Sequence, residues 1–407
     1  MTKETGTYDL AIIGGGVVGL ATAYRFQQKF PEKKLIVFEK EKALAHHQTG
    51  RNSGVIHSGV YYKPGSYKAR LCVEGRRQLS QYAAEKKVPH DICGKIILAT
   101  KRSELPALEK IYQRGLENGI EGLHYLDPPG FKEIEPYADG VKAIRVPVTG
   151  IIDYSALCRS LWQDIERINP QSKLVLNAQV KAPRPGDSAE LIHSSQGDFR
   201  ASFKIFCAGL QSDRMAAAHG VKQPVRIVGF RGDYYRLSER GKHKVKHLIY
   251  PVPDPSFPFL GVHFTRMTDG SVECGPNAVF SFKREGYSKT AFDWQDSMEA
   301  LGFKGTWRLF LRHPGKGIDE YRRAFSKKRF LRALKGMIPS LEMSDIEPER
   351  SGVRAQALAP DGGLVDDFAF AEKANTIHVI NAPSPAATAC LAIGEEILAR
   401  YLKKVNQ

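Results

Sequence analysis

Three observations predict an α/β fold of two interleaved parts: a glycine-punctuated strand–helix–strand start, a second strand-and-turn of that kind ending near Cys207, and alternating β segments after it. The start, "YDLAIIGGGVVGLATAYRF", gives an apolar strand over Leu10 to Ile13, then Gly14-x-Gly16-x-x-Gly19, then an apolar helix opening. This is the dinucleotide fingerprint in the context it requires, so the first part is Rossmann-type. Gly14 permits the tight turn, Gly16 admits a pyrophosphate to the backbone, and Gly19 lets helix and strand pack closely. Val17 and Val18 open the helix, whose free N–H groups and positive dipole end face the phosphates. A second strand, "KLIVFEK", ends at Glu39 with Lys40 beside it, and a carboxylate there accepts hydrogen bonds from an adenosine ribose.

With 407 residues, 42% of them hydrophobic, the chain can bury a large core, as one big domain or two interleaved ones. The six cysteines show no C-x-x-C spacing, which argues for reduced thiols in a cytoplasmic compartment and against a metal site. The uncharged run Leu10 to Tyr24 contains glycines and follows Asp9 rather than a basic region, so neither a signal peptide nor a membrane span is expected.

The net charge is +16, and its placement is uneven: within 304–335, eleven Lys or Arg stand against Asp319 and Glu320, leaving +9. Trp307, Leu309, Phe310, Leu311, Phe325, Phe330 and Leu331 interleave with those charges. That mixture fits a helix lying on an anionic membrane, at the inner face of the cytoplasmic membrane, and equally a solvated face around core residues. No nucleic-acid partner is expected, because no binding motif accompanies the charge.

The fingerprint alone leaves NAD and FAD open. The stretch "HQTGRNSGVIHSGVYY" follows the second strand, with Gly50, Gly54 and Gly59 among polar residues. Such a loop suits backbone pressed against a cofactor. Thr49, Asn52 and Ser53 are candidates to bond a pyrophosphate or a flavin edge, and Arg51 to neutralise phosphate charge.

That stretch, together with "VGFRGDYYRL", "LIYPVPDPSFPFLGVHFTRMTDGSVECGPNAV", "RSGVRAQAL", "DGGLVDDF" and "INAPSPAATACLAIGEEIL", resembles the FAD-dependent L-2-hydroxyglutarate dehydrogenases and oxidases of the D-amino-acid-oxidase-like superfamily. The likeness spans nearly the whole chain; Cys390 stands where a small Ser is expected. The resemblance implies FAD as cofactor and oxidation of L-2-hydroxyglutarate to 2-oxoglutarate, with hydride passing from C2 to flavin N5. It also implies a discontinuous FAD-binding domain (1–85, 146–220 and 346–407) interrupted by a substrate domain (86–145 and 221–345) built on an antiparallel sheet.

The sequence supports that interleaving separately. "SFKIFCAGLQSD" reads as a buried strand, a cofactor-facing turn at Ala208 and Gly209, and a helix entered near Ser212. Val180, the last residue of the short strand "LVLNAQV", meets the adenine by analogy. Val225 to Tyr250 and Gly261 to Cys274 alternate in β fashion and are expected to roof the cofactor. The closing segment gives a strand, the turn of Pro383 and Ser384, and a helix from about Ala386 whose start aims N–H groups at the flavin.

Oxidising a secondary alcohol requires a base for the hydroxyl proton and clamps for the charged substrate. A histidine suits the first task, and His57 or His263 is expected to serve, with His57 favoured because its loop is tied to the cofactor. Arg354 falls where the superfamily's carboxylate-binding arginine lies; Arg231 and Arg266 are candidates for the second carboxylate, with Tyr61, Tyr234 and Tyr235 as hydrogen-bond donors. A related amino-acid or amine oxidase, or a glycerol-3-phosphate dehydrogenase, is the alternative reading; an RNA-associated flavoprotein is a third. Without a second dinucleotide fingerprint, electrons are expected to leave to an external acceptor, a membrane quinone or oxygen.

Overall fold

A computed structural model describes residues 4–184, 186–254, 260–312 and 314–406. The motif portion 255–259 and His313 of the basic segment lie outside the described residues.

Leu10, Ile12, Leu35 and Val37 on one side of the opening strands, and Ala11, Ile36 and Phe38 on the other, are all buried, which is what a sheet covered on both faces demands. That sheet orders its strands Ala369–Lys373, Thr376–Asn381, Gly197–Phe206, Glu4–Ile13, Leu35–Phe38 and Lys173–Val175. The last five of these run parallel, Ala369–Lys373 is antiparallel at one edge, and Leu191–Ser194 hairpins onto Gly197–Phe206. Four helices, Val17–Lys29, Tyr67–Glu85, Tyr154–Ile168 and Cys390–Val405, share one core on one face. Phe38, Phe199, Phe206 and Ala178 fill the other, with Met215 of the helix Ser212–Ala218 packed against them.

Strand order reverses at Glu4–Ile13: the chain goes to Leu35–Phe38 on one side and returns to Gly197–Phe206 on the other. Ligands of open α/β sheets bind at the carboxyl ends of strands beside such a switch.

The second sheet runs Val279–Phe280, Arg226–Leu237, Val272–Gly275, His263–Arg266, Leu248–Pro251, Lys95–Ala99, Lys142–Val146 and His124–Leu126, with Ile346–Leu358 also on Arg226–Leu237. It departs from the expected antiparallel sheet at one pair, because Leu248–Pro251 runs parallel to Lys95–Ala99. Ile346–Leu358, expected within the last FAD-binding segment, instead pairs antiparallel with Arg226–Leu237 along its length. The closing helix begins at Cys390 rather than near Ala386, since 384–389 form turns after the strand Thr376–Asn381.

The basic segment folds as three short helices, Lys304–Arg312, Pro314–Ala324 and Lys327–Lys335. Leu309, Phe330, Leu331 and Leu334 anchor it in the core, while Trp307, Leu311, Ile318 and Phe325 are exposed.

Candidate functional site

A cavity of about 690 Å³ opens between the two sheets. Its floor is the carboxyl end of the parallel sheet, where Ile13, Phe38, Cys207 and Asn381 all contribute. Gly14 holds φ +121°, and a Cβ there would stand 2.3 Å from the Cys207 carbonyl oxygen; at Gly19 it would stand 2.1 Å from the Gly14 carbonyl oxygen. Both positions therefore require glycine, one for its turn and both for close approach. The N–H of Val17, at the start of the first helix, donates to Thr49 Oγ1 at 3.1 Å, which seats the glycine-rich loop on that helix end.

Glu39 is buried, and its carboxylate accepts from the Gly15 and Glu41 amides, both at 2.9 Å. Gly16, Val18, Lys40, Arg51, Asn52, Ser53, Val180, Ala208, Gly209, Pro383, Ser384 and Ala386 line the same cavity. Arg51 lies flat over Tyr287, its guanidinium carbon 3.8 Å from the ring centroid, and donates to the His46 and Ser351 carbonyls. Asn52 spends its amide locally, donating to the Thr49 carbonyl and accepting from the Gly54 N–H. Gly50 differs from expectation: it packs against the Ala45 carbonyl, where a Cβ would approach to 2.3 Å, and does not line the cavity. Lys40 joins Glu41, His47 and Glu285; those three are close enough to ligate a metal, but the Lys40 ammonium already supplies the cation among them.

The cavity lining brings together His263, Tyr234, Tyr250 and Arg354 of the roof sheet with His57 and Tyr61 of the loop after Val55–Ile56. His263 is buried, and its Nδ1–H donates to the Gly261 carbonyl at 2.9 Å, which leaves a lone pair on Nε2. Burial, with Arg354 and Lys95 nearby, depresses its pKa to about 3 despite the bond to Gly261. His57 is likewise held at about 3, by burial first and then by Lys95, His263 and Lys68. Its backbone N–H donates to Thr388 Oγ1, and its carbonyl accepts from Cys72. Burial also pushes the Tyr234 phenol up to about 12, with the charge of Arg354 acting against it.

Three expected substrate residues lie elsewhere. Arg231 is buried in a two-bond pair with Asp233, at 2.8 and 3.2 Å, and also donates to the Ser288 carbonyl at 2.7 Å. Its donors are committed to the protein. Arg266 stands an odd number of residues from His263 on one strand, so it points away from the cavity, and it pairs with Asp91. Tyr235 follows Tyr234 and faces the opposite side, packing its ring 4.5 Å from that of Phe330.

Sequence reading missed Tyr250, Gln48 and Lys95. Tyr250 lines the cavity and stacks 4.0 Å from the His263 ring; Gln48 Oε1 accepts from the Ala355 N–H beside Arg354. For Lys95 the signal was a lone charge heading the apolar run "KIILA".

The reversed strand order, the two glycines that tolerate no Cβ and the buried Glu39 define a dinucleotide-binding oxidoreductase architecture with a second sheet closing its site. A family profile described as FAD dependent oxidoreductase matches residues 9–400. The L-2-hydroxyglutarate dehydrogenase of Indibacter alkaliphilus is 45% identical, with 98% of this chain and 99% of that protein covered. The enzyme of that name from Escherichia coli is 41% identical over 97% and 93%. The chain belongs to the FAD dependent oxidoreductases, and among them to the family of these L-2-hydroxyglutarate dehydrogenases. Among solved structures, the L-alpha-glycerophosphate oxidase of Mycoplasma pneumoniae with FAD bound shares the fold at a TM-score of 0.77 and 22% identity, covering 97% of this chain and 95% of that one.

Proposed function

We propose that this chain oxidises L-2-hydroxyglutarate to 2-oxoglutarate. The reading is carried by one arrangement on top of the family membership: two neutral imidazoles and Arg354 line one wall of the cavity whose floor bears the dinucleotide fingerprint. The fit to FAD rests on Gly14 and Gly19, on the amide-rich start of the helix Val17–Lys29, and on Glu39 and Val180 in the cavity lining. When bound, FAD supplies the two-electron acceptor for the hydride leaving C2.

His263 is the proton acceptor in this reading. The Gly261 carbonyl fixes its tautomer, so Nε2 meets the substrate hydroxyl with a free lone pair. A pKa near 3 keeps the ring neutral before substrate enters, and the substrate's negative charges raise its basicity once bound. This reverses the preference for His57, which lines the same cavity but whose ring has no tautomer-fixing partner among the described residues. Arg354 pairs a substrate carboxylate, and Tyr61 and Tyr234 donate to the remaining polar atoms. The parallel sheet carries the cofactor, and the second sheet, with Tyr61 of the loop after Val55–Ile56, the substrate groups. Anaerobic titration of the holoprotein with L-2-hydroxyglutarate, glycerol 3-phosphate and N-methylated amino acids tests the reading: only the first should bleach the flavin's visible absorbance.

A second observation supports an electron acceptor dissolved in a membrane. Phe292, Trp294, Met298, Trp307, Leu311, Ile318 and Phe325 are exposed apolar side chains within 292–325, a stretch that overlaps the basic segment. The mixture of basic and exposed apolar side chains fits peripheral docking on anionic lipid, with a quinone as acceptor; no helix among the described residues is long and apolar enough to cross a membrane.

A further inference from the structure

A buried ammonium stands behind the cavity wall. Lys95 opens the strand Lys95–Ala99, every residue of which is buried; its side chain is fully enclosed, and its Nζ has no hydrogen-bond partner among the described residues. The ammonium lies 4.6 Å from the ring centroid of Tyr61 and 4.8 Å from that of Tyr250. Both rings line the cavity, both hydroxyls are buried, and that of Tyr61 has no hydrogen-bond partner among the described residues.

An enclosed cation is tolerated when a counter-charge accompanies it, and two aromatic faces supply only part of one. The groups that interact with Lys95 come from several elements: Tyr61 and His57 stand on the loop after Val55–Ile56, Cys72 on the helix Tyr67–Glu85, Tyr250 on the adjoining strand, and His263 on the roof, with Lys68 acting on His57 and Arg354 on His263. None of these is a carboxylate, and Lys68 is itself paired with Asp366.

We propose that Lys95 is a positioning residue for a dicarboxylate, its missing counter-charge arriving with the substrate and acting through the Tyr61–Tyr250 pair. The inference rests on the dicarboxylate reading above and adds a residue to it. Desolvation lowers the Lys95 pKa to about 7, so the free protein is partly deprotonated there near neutrality. A dianion favours the protonated form, and its binding must therefore take up a proton over the pH range between the free and the bound pKa.

The test uses FAD-loaded protein and glutarate, a dicarboxylate with no hydroxyl to oxidise. Binding is followed by the flavin's absorbance change, and proton uptake by calorimetry in two buffers of different ionisation enthalpy. At roughly pH 8, wild type should take up a proton on binding. Lys95→Met should abolish the uptake and weaken glutarate by about tenfold or more, the equivalent of a unit of pKa. Lys95→Arg keeps a charge that cannot titrate, so it should retain affinity and lose the uptake. Uptake that persists in either variant, or wild type without uptake anywhere from roughly pH 6 to 9, overturns the proposal. That last result needs no variant to fold. If L-2-hydroxyglutarate fails to reduce the flavin while glutarate binding still takes up a Lys95-dependent proton, the activity reading falls and this one stands.

Discussion

The ring of Tyr250 lies 4.0 Å from that of His263, centroid to centroid, at an interplanar angle of 34°. The contact holds one face of the imidazole while Gly261 holds its Nδ1, so position and tautomer are set together. His263→Asn should slow flavin reduction in stopped-flow by about 10²-fold or more, a general-base contribution, with FAD still bound. His57→Asn should cost less than a tenth of that. The reverse ranking would assign the proton to the loop histidine.

The same two histidines predict an acid sensitivity. Each is held near pKa 3 in the folded protein against 6.5 ordinarily, so the unfolded chain binds more protons between those values. The associated stability is fully present above 6.5 and is lost as pH falls toward 3, at up to about 1.4 kcal/mol per pH unit for each group. Urea unfolding of the double variant His57→Asn with His263→Asn should show a shallower loss between about pH 6 and 4 than wild type. Equal slopes would mean that neither ring is buried neutral.

Arg354 and Arg231 should separate cleanly. Arg354→Met should lower kcat/KM by roughly 10²-fold, about 3 kcal/mol of transition-state binding, at little cost in stability. Arg231→Met should do the opposite, because it strands the buried Asp233 carboxylate. The expected loss is about 3–5 kcal/mol in denaturant unfolding, with KM nearly unchanged in whatever folds.

This contrast shows what sequence could carry. The fingerprint was legible because Gly14 and Gly19 answer to local geometry, a turn and a near neighbour along the chain. That Glu39 and Arg354 line the cavity was legible from position and family likeness. Arg231 was not, since its role depends on Asp233 two residues on and on the Ser288 carbonyl, reached only through the fold. Tyr234 and Tyr235 show a subtler limit: neighbours on a strand face opposite ways, and a register shift between Asp233 and Tyr235 helps decide which one meets the cavity. Lys95 required knowing that no carboxylate among the described residues pairs with it.

Gly14→Ala places a methyl 2.3 Å from a backbone carbonyl at a φ of +121°, a clash with no flexible side chain to yield. The variant should purify with little or no flavin, read as visible absorbance per protein, while far-ultraviolet dichroism stays close to wild type. Full flavin content would show that the turn at Gly14 does not hold the cofactor.

The proposed membrane docking uses apolar side chains that lie largely outside the packed core. Trp294 is 70% exposed and Leu311 76%, so replacing both by Ser removes little packing within the protein. If these side chains enter a bilayer, each contributes on the order of 1.5 kcal/mol or more, and nearby basic residues add about 1 kcal/mol each on anionic lipid. The double variant should therefore lose at least about tenfold in co-sedimentation with phosphatidylserine vesicles. Neutralising Lys327, Lys328 and Arg329 should give a comparable loss that added salt reproduces in wild type. Both variants should keep their turnover with a soluble dye. Undiminished vesicle binding would remove this surface as the route to a quinone and leave a soluble acceptor such as oxygen.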